Sequence, residues 1–337
     1  MKHRTLAVIA LNVSLVCALI ATGCQSANKG TGGPLPNPPK MPPPPPAKRN
    51  MPIDPALHTA AEQELGMAFA SNEPFIRANA VEATQNGIGA AGIERYLKGL
   101  DDEQAVVRFA STMTIGMLRV REAYPKLLAM LNDQNKLVCV GVRYALHRIG
   151  DMRFSHDLEV FAADASPRVR ANTALVLGLL GEPSATKILR PMMADLDAST
   201  RLQVVESLYR LGDEKARDKL VVGTVAMDPY DQIVSLLALA GPRDNRVFKI
   251  LAGKLTSDYD EVSLAAARAL GMIGSDEGMT VALRKVDAKD PRQRSMAALA
   301  LGEIGRSDAQ PELAKLLRDS DPSVRLAAAT AILQLKH

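Results

Sequence analysis

The chain has 337 residues, of which 47% are apolar and 23% charged, and its formal net charge is +4. A chain of this composition can bury a large core. The small charge, 4% aromatic residues and the absence of Trp argue against a nucleic-acid surface, so we expect no nucleic-acid partner.

Residues 1–23 have the organisation of an export signal. Lys2 and Arg4 precede an uncharged apolar stretch, residues 6–20, which is short for a membrane span. The letters LIATGC that end at Cys24 resemble the lipobox of bacterial lipoproteins, with Ala where that family usually has Leu. The resemblance implies cleavage after residue 23 and a lipid on Cys24. An ordinary secretory signal with a chance cysteine is the alternative.

Residues 24–54 are predicted to be a lipid-anchored, Pro-rich, disordered tether. Eleven prolines lie between Thr31 and Pro55, and proline favours the extended polyproline II conformation. A proline-motif ligand for another domain is an alternative reading. Gln25 follows Cys24, where an Asp typically retains Gram-negative lipoproteins at the inner membrane. The resemblance therefore implies an extracytoplasmic chain anchored to the periplasmic side of the outer membrane.

From residue 55 to residue 337 the sequence repeats every 31 residues without insertion or deletion. We anchor each repeat on the position of Val324 and number positions from it. Eight places after the anchor, eight of nine repeats have Leu or Ile, and twelve places after it five have Gly. Asp321-Pro322 and similar pairs restart the chain before a second helix. The nine anchors are Ile76, Val107, Val138, Val169, Thr200, Asp231, Val262, Gln293 and Val324.

The unit is best preserved at Asp258–Gly274 and Asp319–Leu335, and it resembles the short HEAT-like repeat of the phycobilin-lyase class. This resemblance implies an all-α, right-handed solenoid of nine two-helix repeats over residues 55–337. Stacked helix pairs would share one continuous core. We expect a curved rod whose second helices line a concave face.

Acidic and basic residues recur with the same period. Aspartates five places before the anchor and arginines one place after it match the Asp–Arg ladder that ties HEAT-like repeats together; an anion-binding ladder is the alternative. The predicted structural ladder comprises Asp102, Arg108, Asp133, Asp164, Arg170, Asp195, Arg201, Arg294, Asp319 and Arg325, with Arg77 at the equivalent position of the first repeat.

Positions +6 and +10 vary most between repeats and share one helix face. Several carry Met, Leu, Tyr or Arg, which suit an adaptable groove for a protein or peptide partner. The alternative is that curvature simply buries these positions. The predicted partner-binding residues are Met113, Met117, Tyr144, Arg148, Leu175, Leu179, Glu206, Arg210, Leu237, Arg268 and Met272.

Residues with catalytic potential are sparse. None of the five histidines is followed by Glu, so the His-Glu pairs of HEAT-repeat deoxyhypusine hydroxylases are missing. We find no metal-ligand spacing, nucleophile elbow or phosphate loop. Cys139 is expected to be a buried, inert thiol. The sequence therefore predicts no catalytic residue, no metal, no cofactor and no enzymatic activity.

These features favour a membrane-anchored, extracytoplasmic scaffold or adaptor that binds a protein partner on its concave face. An enzyme or chromophore-handling protein related to the HEAT-like lyases, and a purely structural spacer, are the alternatives. Repeat nine lacks the polar face that usually ends a solenoid, so we also expect its edge to dock onto something, such as a second copy of the chain.

Overall fold

The computed structural model describes residues 44–49, 51–87 and 92–335. Within these ranges the chain forms nine helix pairs, as the 31-residue period predicts, and the all-α helical-repeat fold is confirmed. No described helix is long and apolar enough to cross a membrane. The predicted signal peptide and Cys24 lie outside the described residues.

The first helix of each repeat has an odd number and the second an even number. The first helices are α1 (Pro55–Phe69), α3 (Ile93–Gly99), α5 (Tyr124–Ala129), α7 (Leu158–Ala162), α9 (Thr186–Met192), α11 (Glu214–Gly223), α13 (Phe248–Ala252), α15 (Met279–Arg284) and α17 (Gln310–Leu316). The second helices are α2 (Pro74–Gly87), α4 (Ala105–Leu118), α6 (Lys136–Arg148), α8 (Pro167–Leu180), α10 (Ala198–Arg210), α12 (Pro229–Ala240), α14 (Asp260–Met272), α16 (Pro291–Ile304) and α18 (Pro322–Gln334).

Local sequence signals set the ends of the second helices. At α18, Asp321 accepts hydrogen bonds from the backbone N–H groups of Ser323 and Val324, and Pro322 opens the helix. At the other end, the five glycines at position +12 all have positive φ. In two further repeats the same position is held by Arg119 and Arg243, which adopt the left-handed conformation at φ 56° and 59°. The backbone thus needs this turn even where the sequence lacks Gly.

The second helices form a tight inner layer, and the first helices lie around it. Neighbouring second helices approach most closely at the four joints α4–α6, α8–α10, α14–α16 and α16–α18. In each joint the earlier helix has Gly at position +9. A Cβ atom at Gly271 would lie 2.6 Å from the backbone nitrogen of Ile304, and one at Gly302 would lie 2.7 Å from Cα of Ala331. Only a hydrogen atom fits there, so these glycines set the spacing of the inner layer.

The joint between α10 and α12 is the widest of the inner layer. Position +9 of α10 is Tyr209, whose ring is buried at the place where the close joints have Gly. Its hydroxyl donates to Asp244 at 3.2 Å. Burial, together with the nearby Asp244 carboxylate, raises the pKa of Tyr209 to about 12. A bulky side chain at +9 therefore wedges repeats five and six apart.

The array closes on itself. Helix α18 of the last repeat packs against α1 and α2 of the first repeat. Across this seam, Arg325 Nε donates to Glu64 Oε1 at 2.9 Å. The expected open, curved rod is therefore wrong, because close packing of the inner layer turns each repeat enough for nine to complete a ring. The edge of repeat nine is covered by repeat one, which removes the reason for expecting a second copy there.

An extended segment runs along repeats eight and nine, next to the seam between repeats nine and one. We call residues 44–49 and 51–54 the strap. Six hydrogen bonds join it to repeats eight and nine. They link Pro44 O with Thr280, Pro46 O with Arg306, Arg49 N with Asp308, Met51 N with Ser307, and both Pro52 O and Asp54 N with Gln310. The predicted disordered tether, 24–54, is thus bound to the protein over its final part, because its unpaired backbone groups find partners there.

Substitution of a joint glycine tests its role in spacing. We expect Gly271→Ala to lower the free energy of unfolding by about 2–3 kcal/mol, since the new methyl group meets backbone atoms that cannot move alone. Gly66→Ala on α1 is the matched control, because the nearest neighbour of its Cβ would be an Arg95 nitrogen at 3.7 Å. It should be neutral or stabilising by up to about 1 kcal/mol. Urea unfolding followed by circular dichroism measures both; equal effects would refute the spacing role.

Candidate functional site

The predicted concave-face residues lie inside the ring, and most are inaccessible. The +6 side chains of Met113, Tyr144, Leu175, Glu206, Leu237 and Arg268 are all buried, with Tyr144 only 2% exposed. The +10 residues Met117, Arg148, Leu179, Arg210 and Met272 are partly buried. Closure brings the inner faces of all second helices together, so these positions form packing rather than an open groove. Curvature of the array therefore buries positions +6 and +10, which is the alternative to a binding groove that the sequence allowed.

Charged groups are retained in this interior, and they have partners. Arg210 Nη2 lies 2.9 Å from Glu206 Oε1, Gln203 Nε2 donates to the other Glu206 oxygen at 3.1 Å, and Arg268 Nη2 lies 3.5 Å from Glu303. Burial raises the pKa of the Tyr144 hydroxyl, while the positive charges of Arg148, Arg210 and Arg119 oppose that rise. Side chains from different repeats thus meet here. Buried ion pairs of this kind favour a unique packing rather than present a reactive group.

The ladder residues form rungs between successive repeats. Arginines at +1 bond to the Asp that follows 25 residues later, each through two guanidinium nitrogens. These rungs are Arg77–Asp102, Arg108–Asp133, Arg170–Asp195 and Arg294–Asp319, at 2.6–2.9 Å. In each, the third guanidinium nitrogen donates to carbonyl oxygens of its own turn, as Arg294 does to Ala288 and Lys289. Each arginine therefore ties one turn to the next repeat.

Three ladder residues have other arrangements. Asp164 pairs with Lys136 at 2.5 Å, because repeat three has Cys139 at the position where six repeats have Arg. Arg325 takes Glu64 across the seam. Arg201 bonds only to carbonyls of its own turn, since Ala226 stands where its Asp would be; among the described acidic residues none forms its rung. The ladder is thus interrupted after repeat five.

The interrupted rung provides a matched test of what a rung contributes. Arg294→Ala removes the turn bonds and the Asp319 rung, whereas Arg201→Ala removes the turn bonds alone. We expect Arg294→Ala to cost about 1–3 kcal/mol more in unfolding free energy at neutral pH. Arg294 lowers the pKa of Asp319 below its ordinary range. The rung therefore stabilises above the ordinary carboxyl pKa and is lost as pH falls through the lowered one.

Denaturant unfolding of both variants across pH 7 to pH 2 measures this difference. It should be constant near neutrality and vanish in strong acid. Equal destabilisation at pH 7 would mean that the rung contributes nothing beyond the turn bonds.

The residues with metal-binding or nucleophilic potential do not converge. Cys139 is buried, its Sγ donates to Asp133 O at 3.1 Å, and burial raises its thiol pKa, so it is an unreactive thiol. No group of three or more metal-ligating side chains occurs among the described residues.

An open depression of about 520 Å³ lies beside Arg121, Tyr124, Ile149 and Gly150. Its Tyr124 hydroxyl donates to Asp151 at 3.0 Å.

A group of exposed apolar side chains stands on one rim of the ring. We call the end of the ring formed by the turns within repeats the turn rim, and the opposite end, formed by connections between repeats, the loop rim. On the turn rim, Leu196 is 97% exposed and Met227 98% exposed. They occupy the same position, four before the anchor, in repeats five and six. Exposed Val222, Val225 and Tyr259 lie on the same rim. These five residues are the rim patch.

Sequence reasoning missed the rim patch, although a signal was present. Four places before the anchor, the other seven repeats have Asn72, Glu103, Gln134, Ala165, Asp258, Lys289 and Ser320. A large apolar residue at a turn position that is otherwise polar or small has no packing reason. The patch also stands where the ladder is interrupted and the α10–α12 joint is wide.

Comparison with known proteins supports the assignment of HEAT-like repeats. Residues 156–224 and 280–337 match the family model of HEAT repeats. The uncharacterized phycocyanin operon protein Z of Pseudanabaena tenuis (strain PCC 7409) is 22% identical over 167 residues, which are 47% of this chain and 83% of that protein. The chain therefore contains HEAT-like repeats.

Two solved structures align with the chain at low TM-scores. The complex of CpcE and CpcF of phycocyanin lyase from Nostoc sp. PCC7120 aligns at 17% identity and TM-score 0.44, covering 70% of this chain and 95% of that one. Human deoxyhypusine hydroxylase aligns at 16% identity and TM-score 0.37, covering 83% of this chain and 96% of that one. HEAT-repeat solenoids generally bind protein partners.

One sequence expectation is corrected by these similarities. The chain was expected not to be an enzyme because no catalytic constellation could be named. That expectation is contradicted, because the chain is similar to an uncharacterized phycocyanin operon protein and, distantly, to the CpcE and CpcF subunits of phycocyanin lyase.

Proposed function

We propose that this chain binds a protein partner through the rim patch, from a lipid anchor on the extracytoplasmic side of a membrane. The observation that carries the proposal is the nearly complete exposure of Leu196 and Met227 at equivalent positions of successive repeats. Burial of each of these side chains on binding would contribute about 1.5–3 kcal/mol to the free energy of binding. The proposal moves the binding surface from the inner face to the turn rim, because the inner face is filled by its own side chains.

The extracytoplasmic anchor rests on the lipobox-like sequence at Cys24 and on the strap. The strap holds the chain just before α1 against repeats eight and nine, so a lipid upstream of it would be joined to a fixed point of the ring. The residues between Cys24 and Pro44 would supply the reach to the membrane. Extended polyproline II covers about 3.1 Å per residue, which gives a span on the order of 60 Å.

Site-specific photocrosslinking in cells tests this proposal. A photoreactive residue at position 196 or 227 should capture the same defined protein, whereas one at Met152 should not. Met152 is a matched control because it is apolar and 59% exposed in the connection between repeats three and four, on the opposite, loop rim. Leu196→Asp with Met227→Asp should abolish capture at a neighbouring position while leaving the thermal melt unchanged. Cys24→Ala should release the chain from the membrane fraction. Identical crosslinks from 152, 196 and 227 would refute the patch, and unchanged membrane association would refute the anchor.

The second candidate is a lyase-like function, which the phycocyanin operon relative favours. A chain of this kind would handle a chromophore or a protein that carries one. We expect the full chain, purified from its native cells, to carry a ligand visible by absorbance or by native mass spectrometry. Loss of that ligand in Tyr124→Phe would locate it at the depression beside Gly150. A colourless protein of unmodified mass, which also fails to bind added chromophore, would contradict this candidate.

A further inference from the structure

The rim patch is surrounded by negative charge. The turns that carry its residues, 195–197, 224–231 and 256–261, contain seven Asp or Glu and no Lys, Arg or His. Two of the seven are neutralised by partners from elsewhere, Asp195 by Arg170 and Asp260 by Lys285. Asp197 and Asp228 accept backbone N–H bonds as helix caps. Arg201 also reaches the Leu196 turn, where its Nη1 donates to the carbonyl oxygens of Asp195 and Leu196. Three cations, Arg170, Lys285 and Arg201, thus stand against seven carboxylates, and the border of the apolar patch has a net negative charge.

The patch also faces away from the end at which the chain enters the ring. First helices run from the loop rim to the turn rim, so α1 starts at the loop rim. The strap reaches α1 along Ser307 and Asp308, which lie in the connection between repeats eight and nine. The first described residue, Pro44, contacts Thr280 near the start of α15, so the strap enters at the loop rim. Anionic lipid would in addition be repelled by the acidic border.

We propose that the occupant of the rim patch is a basic, amphipathic segment of a water-soluble protein. This inference rests on the proposed function and adds the chemistry of the partner. Apolar side chains of the segment would cover Leu196 and Met227, and its Lys or Arg side chains would lie against Asp197, Asp228 and Asp258. Charge complementarity of this kind speeds encounter and rejects acidic competitors.

Two model peptides with the same apolar helix face test the inference. One has lysine on its polar face and the other glutamate, and binding to the full chain is followed by fluorescence anisotropy. We expect the lysine peptide to bind at least about tenfold more tightly, with affinity that falls as salt rises. Leu196→Asp with Met227→Asp should abolish binding. Cosedimentation with phosphatidylglycerol vesicles, using chain that lacks the lipid, should be negligible.

A neutralising variant isolates the charges. Asp197→Asn, Asp228→Asn and Asp258→Asn together remove three charges while Asn keeps the two helix caps. We expect this variant to lose about tenfold in affinity for the lysine peptide and most of its salt dependence. Glu94→Gln, Glu122→Gln and Glu159→Gln remove the same charge from exposed positions away from the patch and should change nothing. Equal affinity for both peptides, equal loss in both variants, or strong vesicle binding would overturn the inference.

The two proposals fail in different ways. Absence of specific crosslinks at positions 196 and 227 removes the proposed function and this inference together. Specific crosslinks to a protein, combined with no preference for the lysine peptide, leave the function intact and remove only the partner chemistry.

Discussion

The approach of neighbouring second helices at position +9 is the constraint on which the rest of the structure depends. Where that position is Gly, as at Gly178 and Gly271, two backbones pack without an intervening side chain. The first helices gain no such approach, so the two layers differ in circumference and each repeat turns relative to the last. The accumulated turn joins α18 to α1, buries the inner face and brings the strap beside the seam. The spacing of the rungs and the position of the wide joint follow from the same contacts.

Closure also explains why charged residues persist inside the molecule. Glu206 pairs with Arg210 within α10, and Arg268 pairs with Glu303 of the next repeat, so the charges enclosed by the ring have partners. Replacing a buried pair with apolar side chains is often neutral or stabilising, so such pairs are weak evidence of stability by themselves. Of the two pairs, Arg268–Glu303 joins α14 to α16 and so distinguishes one registration of these two helices from another. In a repeat array, where many registers bury apolar surface equally well, polar partners provide that distinction.

Much of the fold could be predicted from the sequence, because helix pairs depend on local signals. The period, the Asp-Pro starts and the Gly stops each act within one repeat, and the Arg-to-Asp spacing of 25 residues links only neighbours. Closure could not be predicted, since it sums small angles over nine joints. The burial of Tyr144 and Leu175 followed from closure, so it was equally out of reach. The prolines of the strap predicted a free linker. The strap's hydrogen-bond partners, Arg306 and Gln310, could not be inferred because they lie about 260 residues away in the sequence. The sequence contained one sign of these partners. Thirteen places after the anchor, Arg306 replaces an acidic residue that four earlier repeats have there, namely Asp151, Glu182, Asp213 and Asp244.

The seam has a consequence for how such a protein can evolve. Open solenoids lengthen and shorten by duplication or loss of whole repeats, because a new unit needs only two neighbours. In this molecule Arg325 already has Glu64 as its neighbour, and the strap spans the adjoining repeats. An added or deleted unit would separate these partners and expose two apolar edges at once. Relatives of this protein should therefore keep the number of repeats and differ in their turns. The turns are also where the chain exposes Leu196 and Met227.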